Sequence, residues 1–279
     1  MFQNFILDTE PSQIEVDQIQ KDSKFLDEFK ATTFDKLLTD KFIHDFQINN
    51  FERINKITLL LNDEAYIYKT EDSLKISAVV LQELYTKFSN TLLPFATSGS
   101  GNCLWNMVSI CLVGNESLQT VLRLLTVLVM LKMKKKFVLL IKNHYLSTET
   151  NLAEEYAEIN FQENLKLALE NGAWGNMYHI FALSTVLGRS IYIYSFFKTN
   201  GRFRLSKNIG IKKLDEEFKK LRNSNIGHHL RYGPLFNQIY PKLNNSVLYG
   251  FFDGTHYTAL IPKKKLKPDL FKPVNSFEA

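Results

Sequence analysis

The most constraining feature of this chain is a run of small residues feeding into an apolar-periodic segment: Ser98-Gly99-Ser100-Gly101-Asn102-Cys103-Leu104-Trp105-Asn106-Met107. The small residues predict a tight loop. Leu104, Met107, Val108, Cys111 and Leu112 then recur at i, i+3, i+4, i+7 and i+8, the spacing of a helix with one buried face. Asn102 is placed as its N-cap and Cys103 as its first helical residue. At about 100° per residue Cys103 falls at the edge of the apolar stripe, roughly 110° from its centre. A thiol so placed meets free backbone N–H groups and the positive end of the helix dipole, which lower its pKa, and the same N–H groups can hold an oxyanion.

The rest of the chain is compatible with a globular enzyme. Its 279 residues are 45% hydrophobic, with 22 Phe and 12 Tyr, enough for a sizeable core and too apolar for disorder. Its two cysteines, Cys103 and Cys111, do not make a disulfide framework. On one helix they would be about 12 Å apart along the axis, beyond bridging distance. A reducing, intracellular setting, cytoplasmic or nuclear, is expected. The net charge of +5 is concentrated at Lys132, Lys134, Lys135 and Lys136 and at Lys263, Lys264, Lys265 and Lys267. These clusters read first as solvated faces, with contact to nucleic acid as the alternative. The N-terminal residues do not read as a signal peptide. The longest apolar stretch, Leu118 to Leu131, is interrupted by Gln119 and Arg123, is too short for a membrane span and reads as a buried helix; no membrane partner is expected.

In chain order, residues 1–90 read as a mostly helical N-terminal region, either separate or part of the same domain. Asp17 to Phe29, Thr33 to Phe46 and Ser73 to Phe88 are its helices, and Ile54 to Leu61 and Ala65 to Tyr68 are short strands or helix ends. Residues 91–265 form the main domain and 266–279 a tail. Within that domain one long helix runs from Ser117 to about Lys135, with Phe137 to Tyr145 as helix or strand. Thr148 to Tyr156 is an acidic surface segment. Asn160 to Glu170 and Trp174 to Leu187 are helices, the second stopped by Gly188, and Ile191 to Tyr194 is a strand. Residues 199–245 are rich in loop formers. Val247 to Phe252 and Thr255 to Ile261 pair across a two-residue Asp253-Gly254 turn. Interleaving of this kind gives an α+β (α/β) fold, a small central, partly antiparallel sheet packed with helices.

A cysteine nucleophile needs an imidazole to take its proton, and His256, beside the hairpin turn, is the candidate. Alternation along the strand puts Thr258 on the same face, where it is expected to orient the ring. Asp253 reads most simply as a turn residue. His44, His144, His179, His228 and His229 show no recognisable metal spacing, and neither a metal nor a cofactor is expected.

Three blocks then carry a resemblance. Gly99-Ser100-Gly101-Asn102-Cys103-Leu104-Trp105 resembles the Asp-Gly-Asn-Cys nucleophile motif of the OTU (ovarian tumour) family of papain-like cysteine deubiquitinases. Trp174-Gly175-Asn176, with the helix to Gly188 and Arg189-Ser190-Ile191-Tyr192-Ile193, is similar to a later helix and core strand of that family, and Gly254-Thr255-His256-Tyr257-Thr258-Ala259-Leu260 to its terminal histidine strand. The blocks occur in family order between residues 97 and 262. Thr148-Glu149 and the segment from Arg231-Tyr232 to Pro241 resemble the vertnin-like subgroup.

The resemblance implies a papain-like fold with a mostly antiparallel sheet between helices. It also implies cleavage of ubiquitin or a ubiquitin-like protein from lysine, with Cys103 as nucleophile, His256 as base and acid, and Thr258 orienting the imidazole. Ser100, Gly101 and Asn102 would shape the oxyanion loop. Two departures stand out: Ser100 replaces the family's aspartate, and Thr258 replaces its usual Asp or Asn. Some relatives supply the third residue from before the cysteine, which here would be Asp63 or Asp72. Trp174 is expected in the core or near the histidine, and Glu149, Glu154 and Glu155 on a solvated surface or against the basic tail of ubiquitin. The alternative reading is a catalytically weak or inactive vertnin-like module that binds protein or nucleic acid.

Overall fold

The computed structural model describes residues 92–145, 152–195, 229–232 and 247–263, with isolated positions at 21, 45, 49–50, 75–77 and 80. The expected N-terminal helices and the C-terminal tail therefore lie almost entirely outside the described residues, as do Asp63, Asp72 and most of the 199–245 segment.

Five strands, β1 (Leu92–Phe95), β2 (Ile191–Ser195), β3 (His229–Tyr232), β4 (Leu248–Phe252) and β5 (Tyr257–Pro262), form one sheet in the order β1-β5-β4-β2-β3. The β2–β4 pairing is parallel and the other three are antiparallel. Among the described residues these helices accompany it: α1 (Cys103–Val113), α2 (Gln119–Lys132), α3 (Lys134–Tyr145), α4 (Leu152–Leu169) and α5 (Met177–Leu187). This is the mixed α/β architecture expected, a small mostly antiparallel sheet packed against helices.

β1 was hidden in the sequence by Pro94, which reads as a terminator. A proline is tolerated on an outer strand when its missing N–H faces away from the neighbour. Pro94 stands opposite Leu260 of β5, and its carbonyl points the other way, accepting from the Ser77 N–H at 2.9 Å. Ile76 bridges Phe95 on that side, so the expected Ser73–Phe88 helix does not begin at Ser73. Val80 is helical, and its N–H reaches Ser77 Oγ at 3.5 Å.

α1 is the centre of the core. Every one of its residues is buried, where the periodicity predicted one buried face. It packs on β5 and β4 on one side and on α2 on the other, so two faces need cover. Burying Leu104, Met107 and Val108 completely contributes about 2 kcal/mol each. Gly250 in β4 makes the close approach possible, since a Cβ there would lie 2.1 Å from Met107 Sδ. Two buried polar side chains of α1 are satisfied locally: Ser109 Oγ donates to the Asn115 carbonyl and accepts from the Leu118 N–H, and Asn106 Nδ2 donates to Ser98 Oγ.

The expected helix from Ser117 to about Lys135 is α2, which stops at Lys132, and Phe137 to Tyr145, expected as helix or strand, belongs to the helix α3. Met133 leaves helical geometry at φ −113°, ψ 25°, and the redirected chain buries Phe137 and Ile141 fully on α3. The segment from Leu152, expected to be part of a polar surface stretch, opens α4. α5 begins at an Asn176 capping box, three residues after the expected start, and ends at Gly188 (φ 58°) as expected. His229–Tyr232 is a strand inside the segment read as loop. The Asp253-Gly254 turn is longer than two residues: Phe252 and Tyr257 are the last paired residues, so Asp253 to His256 all belong to the connection.

Candidate active site

Cys103 opens α1, as expected, but it is only 4% exposed. Its thiol lies against the backbone N–H groups of Tyr257, Leu104 and Cys103 itself. Tyr257 is the residue after His256, so the fold brings together the cysteine loop and the histidine turn. Burial pushes the thiol above its ordinary value, and the Asp253 charge adds to this; the three N–H groups pull the other way and do not prevail. The lowered thiol pKa expected from the helix N-terminus is therefore corrected: desolvation outweighs the N–H groups.

The imidazole of His256, half-buried, is held through Nε2 by Thr97, at 2.8 Å from Oγ1 and 3.2 Å from the carbonyl oxygen. The tautomer follows from elementary bookkeeping. Thr97 Oγ1 donates its own proton to the Tyr257 carbonyl, so it can only accept from the ring, and a carbonyl oxygen can only accept. Nε2 therefore carries the hydrogen. In the neutral ring Nδ1 is left with its lone pair, the state a proton acceptor needs.

Thr258 is not the partner of this ring. It is buried at 4% exposure, paired with Phe251 across β4–β5, and both hydrogen bonds of the imidazole go to Thr97. The alternation argument failed because His256 precedes β5. Thr97 reaches the ring because it continues the β1–β5 register. Phe95 opposes Ala259, so two further steps put Thr97 opposite Tyr257.

Asp253 shapes the turn that carries His256. Its Oδ1 accepts from the N–H groups of Thr255 (2.8 Å) and His256 (2.7 Å) and from the Thr255 hydroxyl (3.0 Å). Partial burial opposes ionisation. These donors and the nearby His256 charge nonetheless hold the carboxyl below its usual range.

The oxyanion-loop residues meet a second segment, between α4 and α5. Gly101 has φ 78°, and a Cβ on it would lie 1.7 Å from the Gly172 carbonyl oxygen. Asn102 occupies the N-cap position of α1, as expected, but its side chain makes no cap bond. Its Oδ1 instead accepts from Arg123 Nε (3.1 Å), Arg123 Nη2 (2.7 Å) and the Gly172 N–H (3.0 Å). Its Nδ2 donates to Asn171 Oδ1 (3.0 Å) and Ser100 Oγ (3.3 Å). Ser100 itself is exposed, and Ser98, two residues earlier, is anchored by donation to Glu116.

Trp174 is 58% exposed, which corrects its expected place in the core. The buried tryptophan is Trp105, whose ring lies under the Arg123 guanidinium at 3.6 Å and tilts against His179. His179 is structural. It is wholly buried, its Nδ1 accepts from the Asn176 N–H and its Nε2 donates to the Asn164 carbonyl. Burial lowers it to about 4, so it stays neutral.

Residues 94–209 match the family model described as Vertnin, OTU domain. Over that segment the chain is similar to OTU domains. Vertnin of Danio rerio is 32% identical over 115 residues, a match covering 36% of this chain and 17% of that relative's length. Solved OTU domains also align. The OTUD1 OTU domain does so at 17% identity and TM-score 0.39, over 65% of this chain and 93% of that one. An OTU domain in complex with ubiquitin aligns at 17% and 0.35, over 62% and 71%. The viral OTU domain protease of Dera Ghazi Khan virus aligns at 15% and 0.37, over 63% and 84%. Among the described residues no helix is long and apolar enough to cross a membrane, and no cluster of three or more metal-ligating side chains occurs.

Proposed function

We propose that this OTU-like domain is a cysteine isopeptidase releasing ubiquitin or a ubiquitin-like modifier from lysine. The observation that carries the reading is the packing of the Cys103 thiol against Tyr257, next to an imidazole whose Nε2 is fixed by Thr97. His256 Nδ1 takes the thiol proton as Cys103 Sγ attacks the carbonyl carbon of the modifier's C-terminal residue. The backbone N–H groups at the start of α1, beside the Gly101 turn, stabilise the oxyanion. The imidazolium then returns the proton to the departing lysine amine, leaving a thioester that water hydrolyses with His256 again as base. Ubiquitin as acyl donor is supported by the family resemblance of the three motif blocks. Cys103 and Cys111 are not joined in a disulfide, which suits a reducing compartment, and we read the chain as intracellular.

The test is hydrolysis of lysine-linked diubiquitin by the full chain. Release of monoubiquitin that Cys103→Ala abolishes supports the reading, and intact diubiquitin after incubation with folded protein contradicts it. The buried, raised thiol favours one second reading, a module that binds ubiquitin without cleaving it, which predicts binding with no release.

Thr97 is expected to act by orienting His256. Thr97→Val keeps the shape and removes the hydroxyl, and turnover should fall roughly tenfold, the worth of about one hydrogen bond. Thr97→Ser should stay near wild type. Equal rates for valine and serine would refute this role.

Asp253→Ala removes three hydrogen bonds from the His256 turn, whereas Asp253→Asn keeps an acceptor. Activity is expected in the order wild type, Asp253→Asn, Asp253→Ala, measured as initial rates. The wild-type anchoring has a defined pH window. A carboxyl depressed by folding stabilises above its unfolded value of about 3.9 and loses that contribution as pH falls through the lower folded value.

A further inference from the structure

Arg123 lies in the middle of apolar α2, 3% exposed, and among the described residues no carboxylate is within ion-pair distance of it. An isolated buried cation is costly, so its surroundings must compensate. They do so with five hydrogen bonds. Two go to Asn102 Oδ1, two to the carbonyls of Leu167 (2.9 Å) and Ala168 (3.1 Å) in the last turn of α4, and one to the Ala173 carbonyl (2.6 Å). The guanidinium thus caps the negative end of α4, closes the 171–173 turn and stacks on Trp105. Among the described residues its side-chain acceptor is the carboxamide of the residue before the candidate nucleophile.

We propose that Arg123, acting through Asn102, is a positioning residue for Cys103. It fixes residues 100–102 in the turn that presents the α1 N–H groups, and it supplies buried positive charge within electrostatic reach of the thiol. The inference rests on the reading of Cys103 as the reacting group, but not on ubiquitin as substrate. Burial lowers the guanidinium to about 10, and the Cys103 thiolate and Glu170 push it back up, so it remains cationic at neutral pH. The other charged or titratable groups around the thiol are His256 and Asp253 in the β4–β5 connection, with Glu116, bonded to Ser98, farther along the loop. Asp253 opposes thiolate formation, and Arg123, whose charge is favoured by the Cys103 thiolate, is the fixed cation of the set. Lysine could not replace the fork: an ammonium has three donors on a point charge, and the five acceptor contacts here need a planar guanidinium.

The test needs no modifier. The full chain is alkylated with iodoacetamide across pH, and the Cys103 peptide is followed by mass spectrometry, separately from Cys111. Asn102→Ala breaks the relay and keeps the charge. Its plateau rate should fall about tenfold with an unmoved midpoint. Arg123→Gln removes the charge and should also raise the midpoint by about one pH unit. Arg123→Lys should restore the midpoint but not the plateau rate. Asn102→Ala, the milder change, decides the matter should the arginine variants fail to fold. A folded Asn102→Ala protein with the wild-type plateau overturns the proposal, as does a folded Arg123→Gln protein with the wild-type midpoint. A chain whose alkylation follows the expected pattern, yet which leaves diubiquitin intact, would overturn the isopeptidase reading and leave this one standing.

Discussion

His256→Ala is expected to cut the rate of Cys103 acylation by about 10²- to 10⁴-fold while leaving the fold in place. The size follows from the state of the thiol. Burial holds it above its ordinary value, so little thiolate is present at neutral pH without a base. The imidazole is presented in the one neutral tautomer that can help, with Nε2–H tied to Thr97 and Nδ1 open. Removing it takes away both the base for attack and the acid for the leaving amine. The half-buried ring sits on a turn outside the paired strands, so its loss should move the unfolding temperature by only a few degrees. Single-turnover acylation and thermal unfolding of the same variant check both halves. An acylation rate within tenfold of wild type would remove His256 from the mechanism.

Gly101→Ala is expected to be the most damaging small substitution near the site. At φ 78° a Cβ costs about 1 kcal/mol by itself. The new methyl would also lie 1.7 Å from the Gly172 carbonyl oxygen, which is backbone and cannot rotate away. Gly172 is held in turn by Asn102, so one added carbon displaces the loop, the 171–173 turn and the Arg123 contacts together. The combined loss is on the order of 3 kcal/mol, and acylation should be lost with it. Gly99→Ala is the control: a Cβ at Gly99 meets nothing within 4 Å, and its unfolding temperature should stay near wild type. Equal unfolding temperatures for the two variants would refute the account of this contact.

The motif blocks made the fold class and the approach of residue 103 to residue 256 legible, because each is a local pattern: a glycine loop before a helix, and a hairpin beside a histidine. What escaped depended on long-range pairing. Thr97 carries no signal of its own. It orients His256 only because β1 is a strand in register with β5, and Pro94 concealed that strand. Thr258 was preferred on alternation, which does not apply to a histidine lying in the turn. Arg123 was visible as a charge interrupting an apolar helix, which is the mark of a buried ion with partners, but it read as an argument against a membrane span. The polarity of the thiol went the wrong way because a stripe-edge position on a helix says nothing about the sheet and second helix that cover it.

The central claim is an armed cysteine that accepts a ubiquitin C-terminus. Its most direct test is to mix the full chain with ubiquitin bearing a C-terminal electrophile and to weigh the product intact. The account predicts one ubiquitin per chain, attached at Cys103, absent from Cys103→Ala and slow to form in His256→Ala. Folded wild-type protein that forms no adduct would contradict it.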